Sequence, residues 1–232
     1  MPETIAPDAL ATHIDAVRRR IAEAAERAGR DPESVTLLAV SKTVDRATVD
    51  AAYALGLRHF GENRVQDSLR KYAEPLPADA DLHLIGQLQS NKARQAAALF
   101  SVIESVDRPS LIDALEKEAD RLGRRLPVLL QVNVAGEAQK AGCSPDDAPD
   151  LAARLLASPG FDLRGLMTIA PLVPDPEQVR PVFAGLRTLR DALREDTGAA
   201  LDVLSMGMSD DFAVAIAEGA THVRVGRAVF SG

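Results

Sequence analysis

The chain has 232 residues, of which 46% are hydrophobic and 26% charged, a balance that excludes a disordered or collagen-like chain and suits one α/β barrel. A formal net charge of −7, with no basic stretch interleaved with aromatics, excludes a nucleic-acid binder. The single cysteine, Cys143, excludes an internal disulfide and a cysteine-based metal cluster, and the chain lacks both a secretory leader pattern and the roughly 18 apolar residues of a membrane span, so the expected place is the cytoplasm.

Along the chain, Ile14, Val17, Ile21 and Ala24 recur at helical spacing, which predicts an amphipathic helix over about 8–28, stopped by Gly29, with Arg18-Arg19-Arg20 as its solvated face. Eight short apolar runs follow, at 36–40, 59–63, 82–86, 101–105, 127–134, 163–169, 201–205 and 222–226. Helical patterns separate them, such as Leu111, Leu115 and Leu122 between Pro109 and Gly123. Alternating strands and helices mean a parallel sheet, either closed or doubly wound, and the count of eight favours a single-domain (β/α)₈ TIM barrel over 1–232. The stretch Pro171 to Pro176 reads as a loop after the sixth strand, not a boundary between domains.

In such folds ligands gather at the carboxyl ends of the strands. Lys42 follows the first strand directly, and an amine at that mouth can become nucleophilic toward an aldehyde. Ser205 to Asp211 reads as a strand passing through a glycine turn into a helix with Ser209 at its N-cap, a place where backbone N–H groups cradle phosphate. On the last strand Arg224 and Gly226 share a face opposite Val223 and Val225. An inward arginine calls for a ligand or a buried carboxylate, and Gly226 lets backbone approach a phosphate closely. Lysine, cradle and arginine together point to a phosphorylated aldehyde, and pyridoxal 5′-phosphate (PLP) is such a molecule.

Seven segments in order, AVSKT (39–43), FGENRVQ (60–66), HLIGQLQSNK (83–92), QVNVAGEAQKAG (131–142), RGLMTI (164–169), LSMGMSDDF (204–212) and VRVGRAVF (223–230), resemble the YggS/PROSC-type PLP homeostasis proteins, related to the N-terminal barrel of alanine racemase. The resemblance covers nearly the whole chain. It implies a Schiff base between PLP and Lys42, with Asn63 beside the ring, Arg224 facing the pyridine nitrogen, and Met208, Ser209, Gly226 and Arg227 around the phosphate. Members commonly carry a small hydroxyl residue where this chain has Arg227. The resemblance further implies a carrier that buffers PLP or delivers it to apo PLP-dependent enzymes, with no catalytic residues; the closed fold and the lack of an obvious apolar exterior stripe lean toward a monomer.

The alternative is an amino-acid racemase-like enzyme, which needs a second acid/base opposite the lysine; in related racemases this is a tyrosine on another domain. Here Tyr53 and Tyr72 fall in helical patterns and are expected outside the barrel. A third reading is a PLP-free barrel for some other phosphate. The histidines, His13, His59, His83 and His222, show no metal-ligand spacing, so no metal site is expected. The block Gln87 to Lys92 suits a loop entering a helix capped by Ser90, or a contact with cofactor or partner, and Lys140 is expected in solvent.

Overall fold

The computed structural model describes residues 5–137 and 139–231; Ala138 of the loop after the fifth strand and Gly232 of the tail lie outside them, as do residues 1–4. Helix α1 (Pro7–Arg27) buries the expected stripe, Leu10, Ile14, Val17, Ile21, Ala24 and Ala25, and leaves Arg18, Arg19 and Arg20 exposed. It ends on Gly29 at φ +68°, with the Gly29 N–H on the Glu26 carbonyl and the Arg30 N–H on the Ala25 carbonyl. Only glycine adopts that left-handed turn without strain, which is why the helix stops there.

The eight apolar runs are β1 (Thr36–Val40), β2 (His59–Glu62), β3 (Asp81–Leu84), β4 (Val102–Val106), β5 (Leu126–Gln131), β6 (Phe161–Met167), β7 (Val203–Met208) and β8 (His222–Val225). The helices after α1 are α2 (Arg46–Ala54), α3 (Val65–Lys71), α4 (Ala93–Leu99), α5 (Pro109–Leu122), α6 (Ala148–Ala157), α7 (Arg180–Thr197), α8 (Phe212–Ala217) and α9 (Arg227–Phe230). Each strand pairs in parallel with the next and β8 pairs with β1, so the sheet closes into the single-domain (β/α)₈ barrel. Among the described residues no helix is long and apolar enough to cross a membrane.

The strand ends lie within three residues of the expected ones, and the two largest shifts are at the carboxyl ends of β7 and β5. β7 runs on to Met208, and its register against β8 shifts between Ser205↔His222 and Met208↔Arg224. The extra residue is accommodated at Gly207, whose φ of +92° and contact with Phe212 and Ala215 leave no room for a Cβ. β5 stops at Gln131, beyond which Val132 makes one bridge to Cys143.

Most of the core lies between barrel and helices, around Phe60, Phe161, Phe183 and Phe212. The interior is different. Leu38, Val40 and Ile85 form a small apolar group of their own, and a Cβ on Gly61 would stand 3.2 Å from both Leu38 and Ile85. The rest of the interior carries His83, Glu104, Ser205 and Arg224, each buried, where most barrels stack branched apolar side chains. Charges in such a place persist only when paired.

Candidate functional site

Leu38 and Val40 point into the barrel, so alternation along β1 carries Lys42 to the same side just beyond its end. Lys42 is exposed and lines a cavity of about 270 Å³ with Thr43, Glu62, Asn63, Arg64 and Asp67. Asn63, just beyond the neighbouring strand β2, thus lines the same cavity as Lys42. Gly86, at the end of β3, has its backbone pressed against Asn63, since a Cβ there would lie 2.1 Å from the Asn63 carbonyl oxygen.

On the other flank of β1, Gly226 follows β8 and packs on Val40, whose carbonyl oxygen would lie 3.2 Å from an added Cβ. Met208 ends β7 in register with Arg224, and Ser209 follows in the turn. The Arg227 guanidinium bonds the Asp210 carboxylate at 2.7 Å with both side chains largely exposed, tying the loops after β7 and β8 together. The Arg227 charge is thus taken up by Asp210.

The expectation of Ser209 as N-cap does not hold. The helix after β7 starts at Phe212 with Asp211 in the cap position, because the strand extends to Met208. The Asp211 carboxylate accepts the Met208 N–H at 2.5 Å. Burial raises the Asp211 carboxyl, and that bond and the nearby Arg224 charge offset part of the rise. Likewise Ser90 opens a 3₁₀ turn, Ser90–Lys92, with Gln89 in its cap position and no side-chain cap bond. Lys140 pairs with Glu137.

Below the mouth, the inward Arg224 is linked to a buried carboxylate, Glu104, through Ser205 and not by a direct ion pair. Its Nη1 donates to Ser205 Oγ (2.8 Å) and its Nη2 to the Thr168 carbonyl (2.7 Å), and Ser205 Oγ donates to Glu104 Oε2 (2.6 Å). Glu104 Oε1 lies 2.8 Å from His83 Nδ1. Burial alone would raise the Glu104 carboxyl; the His83 bond and charge, then Arg224 and Ser205, outweigh it and hold it at about 2. Two of the five guanidinium donors of Arg224 are named here, so it retains donors for a further partner.

A second cluster, which the linear sequence did not announce, braces the ends of β1 and β2 from outside the barrel. Glu62 Oε1 accepts from Ser41 Oγ (2.8 Å), Lys71 Nζ (2.8 Å) and Tyr72 OH (3.0 Å), and Lys71 Nζ also donates to the Ser41 carbonyl (2.7 Å). Burial and the Glu62 charge raise the Tyr72 hydroxyl far above its ordinary value. Tyr53 donates to Asp79 at 2.6 Å beneath the stacked Arg58 guanidinium. Both phenols are on the outer layer, as expected.

The structure corrects the reading of the histidines. His59 and His222 open β2 and β8 and His83 is the third residue of β3; the three converge at the amino-terminal base of the barrel, with ring centroids 5.6–6.3 Å apart and Asp81 beside them. Burial, above all, holds His59 below the ordinary histidine range and pushes His222 down to about 4. Cys143 is buried and its thiol pushed up to about 12, first by burial and then by Asp107 and Asp147, which makes it inert at neutral pH.

The mouth fits a phosphorylated aldehyde: a primary amine, an amide side chain on one flank, and on the other a strand end with no Cβ to bar a phosphate. The family model for the alanine racemase N-terminal domain matches residues 12–232. A pyridoxal phosphate homeostasis protein of Pseudomonas aeruginosa is 48% identical over 222 residues, covering 95% of this chain and 94% of that one. One of Aquifex aeolicus is 44% identical over 217 residues, covering 94% and 95%. Among solved structures, PipY of Synechococcus elongatus with PLP bound is 40% identical with a TM-score of 0.83, covering 96% of this chain and all of that one. Alanine racemase of Corynebacterium glutamicum, at 16% identity and a TM-score of 0.69, shares the fold.

Proposed function

Since the chain belongs to the family of pyridoxal phosphate homeostasis proteins, we propose that it holds PLP as a Schiff base on Lys42, buffers the intracellular supply and delivers it to apo PLP-dependent enzymes. When bound, PLP supplies an aldehyde that condenses reversibly with a primary amine. The observation that carries this reading is the placement of Lys42 just beyond β1, in one cavity with Asn63 just beyond β2, while the Cβ-free Gly226 just beyond β8 packs on Val40.

In this reading the Lys42 amine binds, and Asn63 orients the ring from the β2 side. The backbones of Met208, Ser209, Gly226 and Arg227 receive the phosphate. Arg224, two residues before Gly226 and on its face of β8, keeps a permanent positive charge toward the pyridine nitrogen. A cation there disfavours a proton on that nitrogen and so weakens the electron-withdrawing capacity that amino-acid chemistry demands. Tyr53 and Tyr72, committed to Asp79 and Glu62, are poorly placed to act as the second acid/base of a racemase. These points support a carrier without turnover of its own.

Borohydride reduction followed by mass spectrometry tests the link, with a pyridoxyl adduct expected on Lys42 and none at that position in Lys42→Ala. The variant should retain weak, reversible PLP binding through the phosphate contacts; unchanged imine absorbance in it would overturn the assignment of Lys42. Holo-protein mixed with an apo PLP enzyme should restore that enzyme's activity. Exchange of amino-acid α-protons in deuterium oxide at useful turnover would instead favour a racemase-like enzyme.

A further inference from the structure

At the end of the barrel opposite Lys42, two imidazoles and a carboxylate converge. His59 Nδ1 lies 3.4 Å from His83 Nε2 and 3.6 Å from Asp81 Oδ2, and the three ligand atoms all lie within 4.8 Å of one another. The sheet register produces this: His59 stands beside Asp81 across the β2–β3 ladder, and His83 is two residues further along β3 on the same face. His222 walls the cluster from β8, with its Nδ1 3.0 Å from the Thr221 hydroxyl.

A nitrogen–nitrogen distance of 3.4 Å is long for a hydrogen bond, which centres near 2.9–3.0 Å. It matches two imidazoles on one tetrahedral ion, because bonds of about 2.0–2.1 Å put their ends roughly 3.3–3.4 Å apart. The other nitrogen of His83 is held by Glu104 at 2.8 Å, and Glu104 is itself fixed by Ser205. A buried carboxylate behind a ligating histidine is the outer-shell arrangement that sets ring orientation and raises ligand basicity. On the other side, the His59 and Asp81 side chains are 32% and 47% exposed, so an ion can enter from solvent and a water can complete its coordination.

We propose that His59, Asp81 and His83 form a binding site for a divalent transition metal of the zinc class, with Glu104 positioning His83 from behind. The ion joins β2 to β3 at the base of the barrel, remote from the cofactor mouth, and its role is structural. Two imidazoles among three ligands select against hard cations such as Mg²⁺.

The test is calorimetric titration of chelator-stripped full-length protein with Zn²⁺, alongside Co²⁺ titration followed by visible absorbance. One ion per chain is expected, with the intense visible bands of four-coordinate Co²⁺ and no saturable heat with Mg²⁺. Zn²⁺ at a hundred times its Kd should raise Tm by about 5–10 °C. His59→Ala and Asp81→Ala alter part-exposed side chains, and each should weaken binding at least tenfold with an unchanged circular dichroism spectrum. Lys42→Ala should bind Zn²⁺ like the wild type, which separates this test from that of the carrier reading. Absence of saturable Zn²⁺ binding, or binding that survives in the His59→Ala, Asp81→Ala double variant, would overturn the proposal.

Discussion

The two ends of this barrel are built from different materials. At the carboxyl-terminal mouth the backbone dominates: Gly207 turns where no side chain fits, Gly226 lies on Val40, Gly86 lies on Asn63, and the exposed Lys42 stands just beyond β1. At the amino-terminal base they come from side chains, with His59, Asp81, His83 and His222 converging from three strands. Between the ends runs a buried polar column, His83–Glu104–Ser205–Arg224, where an apolar filling is usual. The base and column should therefore be sensitive to truncation of side chains, and the mouth to the addition of a Cβ.

The largest effect is expected in the column. Glu104→Ala leaves Arg224 and His83 buried without their anion and should cost about 3–5 kcal/mol in urea unfolding; a loss under about 1 kcal/mol would mean the column is not held by its charges. Next comes Gly207→Ala, which combines a left-handed φ with a Cβ 2.6 Å from that of Ala215 and should cost about 2–4 kcal/mol. Gly226→Ala has an ordinary φ and contacts of 3.2–3.3 Å. Its stability cost should be about 1 kcal/mol, while PLP retention, followed by dialysis and absorbance, falls by more than that cost accounts for.

Tyr72→Phe removes one of three bonds to the Glu62 oxygen and should cost about 1 kcal/mol by thermal unfolding, without altering α-proton exchange. The smallest effect belongs to Arg227→Ser, which removes an exposed ion pair with Asp210. Stability should move by less than about 0.5 kcal/mol, and PLP retention by no more than about twofold. A larger loss of retention would show that the Arg227 side chain leaves Asp210 to take the phosphate.

Much of the mouth was legible in the sequence because its residues stand at strand ends in chain order: Lys42 after TLLAV, Asn63 closing the second run, Arg224 and Gly226 alternating on the last. The family resemblance then gave each of them a role. Closure of the sheet was legible from the count of eight strands and from the family resemblance, but not from hydrophobic periodicity, which is the same in an open sheet and a barrel. Ser209 was misread because a bulge at Gly207 extends β7 by three residues beyond the apolar run, moving the cap to Asp211. The base was missed for a different reason. Metal-ligand motifs are recognised by short spacings, and here the ligands are paired across strands by register, with Glu104 bonded to Ser205 from the far wall of the barrel. The cluster of Ser41, Glu62, Lys71 and Tyr72 was hidden because Glu62 looked like one of several polar residues at a strand end, while its side chain turns outward beneath α3.

The β1–β8 seam makes the mouth a product of closure. The strand before Lys42 gains its second neighbour, and the mouth gains Gly226 against Val40, only where β8 docks on β1, so loosening this seam opens the Lys42 flank before any other part of the mouth is disturbed.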